Sequence, residues 1–292
     1  MMYYLVLVLL WLIHLLPDRL LYVLAEILYW VCFKLIGYRK VVVYDNLTRS
    51  FPEKSPDEIH AIALNFYHRF CDLLVEVVNM MFISEHKLRK MVSFSNTSLL
   101  NQLYEEGKSV VIVQGHFMNW ELSLLMGDAM GKHSRYVIYK TLSSKVSERL
   151  VMRLRERLDT RMLAMYETKN FIDRHMQLGA ENQPALFQLG ADQAPMKHKI
   201  EYWTSFMNQE APFFLGPEKL AKKYGMPVVY LDLKRLSRGR YQVSYSMLES
   251  DPCNAPEFSI TNKYVSRVEE AIKSDPSNWL WTHRRWKHQK EA

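Results

Sequence analysis

The spacing of apolar positions changes character along the chain, and each change predicts a different kind of element. Residues 1–37 are apolar almost throughout. MMYYLVLVLLWLIHLLP runs to a break at Pro17-Asp18-Arg19, and LLYVLAEILYWVCFKLIG follows with Glu26 and Lys34 as its formal charges. Neither run is the clean stretch of ~20 apolar residues that a spanning helix needs. A cleavable signal peptide is not expected, because the n-region has no Lys or Arg and no small-residue cleavage site follows. Two readings stay open: a helical hairpin folded into a soluble core, or an embedded or interfacial anchor. In the second, Tyr and Trp sit at the membrane boundary and Arg39-Lys40 on the cytoplasmic side. The composition favours the anchor, and a boundary is expected between an anchoring segment at 1–40 and a catalytic-sized domain at 41–292.

A helical period takes over after residue 54. Ser55, Pro56 and Glu58 form a capping-box signature. Apolar residues then recur at Ile59, Ile62, Phe66, Phe70, Leu73, Leu74, Val77 and Met80, which predicts one long amphipathic helix. From residue 109 short apolar runs alternate with helical patterns. SVVIVQ, SRYVIY, PALFQL, PVVYLDLKR and RYQVSYSML read as strands. Helices are expected near 120–130, 145–157, 170–178, 216–224 and 261–273. This alternation predicts an α/β fold with a mixed, largely parallel sheet flanked by helices. LSRGRYQVSY reads as a hairpin turning at Gly239, an antiparallel pair at one edge of that sheet.

Charge narrows the partners without choosing among them. Lys and Arg number 38 against 31 Asp and Glu, a net charge of +7, which favours anionic lipid, an acidic carrier protein or nucleic acid. Cys32, Cys71 and Cys253 form no CxxC pair, so neither a disulfide scaffold nor a zinc ribbon is expected. No HExxH pattern occurs among the histidines, and no metal site is predicted.

The stretch VVIVQGHFMNWELSLL joins a strand pattern to a helical one, placing His116 in the turn at a strand's carboxyl end. Open α/β sheets usually carry their sites there. An ordinary strand-to-helix turn would look the same. The chemical reading takes Glu121 as a carboxylate that fixes the imidazole tautomer and stabilises its protonated form, so that His116 accepts a proton from an alcohol. No G-x-S-x-G elbow accompanies it, so the hydroxyl attacked through this base would belong to the substrate. NWLWTHRRWKH packs tryptophans among Arg284, Arg285 and Lys287. It reads either as aromatic cover with solvated charges or as a cationic patch for phosphate groups. No RRM, KH or helix-turn-helix signature accompanies it, so nucleic acid is not expected.

These blocks together resemble the bacterial lipid A biosynthesis acyltransferases of the lauroyl/myristoyl, late-acylation family. GHFMNWEL resembles that family's G-H-x-G-N-W-E block, LGADQAP its D-Q block, and FFLGPEKLAKKYGMPVVYL its F-x-G…A…G-x-P-V-V block. NWLWTHRRWK is similar to its W-x-W-x-H-R-R-W-K ending. The resemblance implies a glycerolipid-acyltransferase-like fold in which His116 is the general base and Glu121 its orienting partner. Asn119, Lys140, Asp192, Gln193, Arg284 and Arg285 fall at positions that would bind substrate or support the site. It further implies transfer from acyl-acyl carrier protein, or acyl-CoA, to a hydroxyl of a lipid A precursor at the cytoplasmic face of the inner membrane, with no cofactor. Two departures bear on the acceptor. Met118 replaces a small residue and is expected to narrow the site, and Lys140 offers charge without the arginine fork. An aminolipid, a glycolipid or a lysophospholipid is therefore an alternative acceptor. A non-enzymatic basic membrane- or nucleic-acid-binding protein is the reading from another class.

Overall fold

The computed structural model describes residues 1–125, 132–158, 160–179 and 183–290. Its centre is a seven-stranded sheet in the order β1-β9-β8-β2-β5-β3-β4, formed by β1 (Val92–Ser95), β2 (Val110–Gln114), β3 (Ser134–Tyr139), β4 (Arg161–Ala164), β5 (Ala185–Gly190), β8 (Val228–Ser237) and β9 (Arg240–Glu249). All neighbours are parallel except β8 and β9, which pair antiparallel. A separate two-stranded ribbon pairs β6 (Tyr202–Phe206) with β7 (Gln209–Phe213).

Strand β2 is buried at every position, as a central parallel strand covered on both faces must be. Each of the five expected strands forms. The hairpin at Gly239 forms too, with φ near +65° at the glycine, but it does not lie at the edge: β1 adds outside β9. Strand β1 is the four-residue VSFS, too short and too polar to stand out in sequence.

The long helix α4 (Pro56–Met80) carries the capping box in full. Glu58 N–H donates to Ser55 Oγ at 3.3 Å, and Ser55 N–H to the Glu58 carboxylate at 2.8 Å. Its buried stripe includes Ile59, Phe66, Leu73 and Met80. Helices α7 (Lys145–Glu156), α8 (Thr168–Gln177), α9 (Gly216–Tyr224) and α10 (Ser259–Ser274) fall where periodicity put them. The helix expected near 120–130 is a short 3-10 helix at Trp120–Leu124, and residues 126–131 lie outside the described residues.

The N-terminal run forms α1 (Met2–His14) and α2 (Asp18–Tyr29), the latter continuing as a π-helix over Trp30–Leu35. Among the described residues no single helix is long and apolar enough to cross a membrane; α1 and the α2 segment pass that test only together, bent by 119°. Helix α2 buries Leu21, Ala25 and Tyr29 in the main core while exposing Leu20, Val23 and Ile27. Helix α1 rests on the domain through His14 Nδ1 and Asn79 Oδ1, 2.7 Å apart, and through Arg149 on the Tyr3 ring. Its Leu5, Val8, Leu9 and Leu12 face outward.

Candidate active site

Two neighbouring strands supply the site. The chain leaving β2 passes over β5 to reach β3, whereas the chain leaving β5 crosses β2 toward β8. Connections departing in opposite senses from adjacent parallel strands open a crevice at their carboxyl ends. His116 follows β2 by two residues, and Asp192 follows β5 by two.

His116 Nδ1 lies 2.5 Å from Asp192 Oδ1. The second carboxylate oxygen accepts the His116 backbone N–H at 2.8 Å and the Trp279 indole N–H at 2.7 Å. Asp192 is 1 % exposed. Burial by itself would raise its carboxyl; the His116 imidazole and these N–H donors overcome that and bring it down to about 2. For His116 burial works downward, and the Asp192 charge outweighs it, so the imidazole is raised above its usual 6.5. With Nδ1–H given to Asp192, Nε2 carries the lone pair. Among the described residues Nε2 has no hydrogen-bond partner on the protein, and the His116 side chain keeps 22 % of its exposure. Among the described residues no serine or cysteine is hydrogen-bonded to it.

The turn is clamped from several sides. Phe117 forms an antiparallel bridge with Trp279, Met118 N–H donates to Asn278 O at 2.8 Å, and His116 O accepts Leu280 N–H at 3.1 Å. A Cβ on Gly190 would stand 2.6 Å from His116 Cε1, so β5 must end in glycine for the ring to lie over it. Asn119 adopts the left-handed conformation at φ near 59° and donates its amide to Glu76 at 2.7 Å. Trp120 meets the imidazole edge-on with ring centroids 5.4 Å apart.

Several expectations from sequence need correction. Glu121 does not hold His116. Its carboxylate takes a bidentate pair from Arg155 of α7, at 2.9 and 2.7 Å, and the Trp120 indole N–H at 3.0 Å. The 3-10 geometry of residues 120–124 turns Glu121 toward α7, while the D-Q segment delivers Asp192 to the ring. Glu121 and Arg155 still act on His116 at a distance, the first raising and the second lowering its proton affinity. Arg285 is no phosphate contact. It is fully buried, donates from Nη2 to Pro212 O at 2.7 Å, and lies over Phe213 at 4.3 Å; burial brings it down to about 10. Met118 is wholly buried in the core, so it does not line the crevice. Asn119 is wholly buried with its amide on Glu76, which leaves it the supporting role of the two expected for it.

Lys140 and Arg284 are exposed. Lys140 directly follows β3, two strands from β2, which places it roughly 10 Å across the sheet from the site at the usual strand spacing. Gln193 is half-buried beside Asp192. Sequence reasoning missed three contributors. Trp279 was read only as aromatic cover, and Arg155 and Glu76 carried no local motif. His283 also borders the site: its Nε2 accepts Ala194 N–H at 3.2 Å, and burial lowers it to about 4, so it stays neutral.

Among the described residues no cluster of His, Cys, Asp and Glu could hold a metal ion. An apolar cavity of about 200 Å³ lined by Ile138, Leu189, Phe214 and Leu220, with Lys169 and Lys219, lies on the other face of the sheet. Gln188 and Gly190 point toward Ser123 and His116, so the alternating Leu189 points away from them.

The sequence has no match among curated proteins. A family model does match it, over residues 1–288, and is described as bacterial lipid A biosynthesis acyltransferase.

Proposed function

The chain belongs to the bacterial lipid A biosynthesis acyltransferase family, and from that premise we propose that this acyltransferase moves a fatty acyl group from acyl-acyl carrier protein to a hydroxyl of a lipid A precursor, with His116 as general base. The observation that carries the mechanism is the His116–Asp192 pair, in which the imidazole stays partly exposed and Nε2 has no hydrogen-bond partner among the described residues. Nε2 takes the proton from the acceptor hydroxyl as its oxygen attacks the thioester carbonyl carbon. The tetrahedral intermediate collapses with cleavage of the C–S bond, and the departing thiolate receives the proton from Nε2. Asp192 stays ionised and stabilises the imidazolium between these transfers. Arg155, a cation fixed by Glu121 near the base, is our candidate for stabilising the oxyanion. No acyl-enzyme forms, because the attacking oxygen is the substrate's own.

Membrane association is part of the same proposal. The outward Leu5, Val8, Leu9, Leu12, Leu20 and Ile27 make an apolar surface, and the exposed Arg19, Lys34 and Lys40 lie on the same segment. Such a surface suits an interfacial helix pair resting in one leaflet beside anionic headgroups. A 13-residue helix spans about 20 Å, short of the ~30 Å hydrocarbon core. Deep burial at the cytoplasmic face of the inner membrane would bring the crevice to its lipid acceptor. The basic surplus suits an acidic carrier as acyl donor.

Mass spectrometry of lipids from a strain lacking the gene tests the acceptor. Lipid A missing one acyl chain is expected. Intact lipid A with a changed aminolipid, glycolipid or lysophospholipid would move the assignment to that acceptor.

A further inference from the structure

Glu76 is the least expected ionisable group near the site. It sits on the inner face of α4, 1 % exposed, with four donors from three different parts of the chain. One carboxylate oxygen accepts the Tyr22 hydroxyl of α2 at 3.1 Å and the Gly239 N–H of the β8–β9 turn at 2.9 Å. The other accepts the Tyr241 hydroxyl of β9 and the Asn119 side-chain amide, each at 2.7 Å. A buried carboxylate with every lone pair engaged holds its donors tightly, since any one left unpaired inside would be costly.

The geometry around it is built for close approach. A Cβ at Gly239 would stand 2.8 Å from the Tyr22 hydroxyl, so a larger residue, already strained at φ near +65°, would displace that hydroxyl from its place beside Glu76. One turn earlier on α4, Asp72 accepts from Arg238 at 2.9 Å and pairs with Arg235, and Arg238 also pairs with Glu26 of α2. Helix α2 is thus latched to α4 and to the β8–β9 turn on one side while its other side carries the exposed Leu20, Val23 and Ile27. Asn119, at the opposite end of the network, is the left-handed pivot three residues after His116.

We propose that Glu76 is a positioning residue: through one carboxylate it couples the docking of the lipid-facing helix α2 to the turn that aims His116. The inference rests on the reading of His116 as the base. It predicts that turnover is highest when α2 is seated, because Tyr22 and Asn119 share the same acceptor.

Three purified full-length variants test it, assayed with acyl-acyl carrier protein and a lipid A precursor. Asn119→Gly keeps access to the left-handed backbone and deletes the side chain with its amide. Tyr22→Phe deletes only the hydroxyl. We expect each to lower kcat, Asn119→Gly by about tenfold, with KM within about twofold of wild type. The rising limb of kcat with pH should move to lower pH in Asn119→Gly, because a displaced ring is held less firmly by Asp192. The double variant should be no worse than Asn119→Gly alone, as expected when two groups act through one partner. Wild-type kcat and an unmoved pH limb in both single variants, whatever their melting temperatures, would overturn the coupling, and so would additive losses. His116→Ala in the same assay separates the two levels. Retained transfer there removes the base assignment itself, whereas loss there with normal Asn119→Gly removes only the role of Glu76.

Discussion

Replacing Asp192 with Asn isolates the carboxylate that the structure puts on His116. The shape is nearly unchanged, and the amide oxygen can still accept the His116 backbone N–H and the Trp279 indole, which now sit at 2.8 and 2.7 Å. The amide NH₂ would then face Nδ1 and force the opposite tautomer, with the proton on Nε2. That nitrogen could no longer take a proton from a hydroxyl. Holding a carboxyl at about 2 instead of 3.8 corresponds to about 2 kcal/mol in favour of its ionised form. The same interaction supports the imidazolium during transfer. Loss of the tautomer and of this support should reduce kcat by about a thousandfold, within the range that general-base and triad-carboxylate replacements cover. KM for the lipid should change little, since Asp192 is buried and out of reach of ligand. The assay is steady-state acyl transfer followed by mass spectrometry, with a melting curve to show that the variant is folded. A folded Asp192→Asn enzyme within about threefold of wild type would refute the base–carboxylate reasoning.

Glu121→Gln should lower kcat by about tenfold to a hundredfold, less than Asp192→Asn, because it loosens Arg155 without touching the tautomer; equal losses in kinetic assays would restore Glu121 as the direct partner. Stability should fall at both ends of the pH range. The contribution of Asp192 is complete above 3.8 and disappears as pH falls through about 2, and that of His116 is complete below 6.5 and is lost as pH rises through its higher folded value. Melting curves of wild type against Asp192→Asn would show both limbs flattened in the variant. Leu5→Ser, Leu9→Ser and Leu12→Ser together should abolish flotation with anionic vesicles while leaving the circular dichroism spectrum unchanged, since all three side chains face outward. Arg285→Met should leave KM for a phosphorylated acceptor unchanged, because the guanidinium is sealed in the core and two of its nitrogens have no hydrogen-bond partner; a large rise in KM would return Arg285 to the phosphate site.

What could be read in the sequence was whatever had a local period or a local motif. The capping box at Ser55, the five strands and the hairpin at Gly239 each follow from neighbours within a few residues. Strands β1, β4, β6 and β7 were invisible because four or five residues, partly polar, show no alternation distinguishable from a loop. The site divided in the same way. His116 was legible because it sits between a strand run and a helical run. The D-Q block puts Asp192 at the site by resemblance, but its bond to His116 is not legible, since Asp192 arrives 76 residues later through the pairing of β2 with β5, and the family block points to Glu121 instead. Arg285 and Met118 were misplaced for the converse reason: a charge run and a motif departure are surface signals only when the chain leaves them outside. The terminal block folds Trp279 and Arg285 inward, and the bridge to Trp279 carries Met118 in with it.

The most direct test of the account is acyl transfer by purified enzyme with acyl-acyl carrier protein and a lipid A precursor, comparing wild type with His116→Ala. Wild type is expected to raise the mass of the precursor by one acyl group. His116→Ala should form no product while melting as wild type does. A folded His116→Ala enzyme that acylates the precursor at the wild-type rate would contradict the claim that this imidazole performs the chemistry.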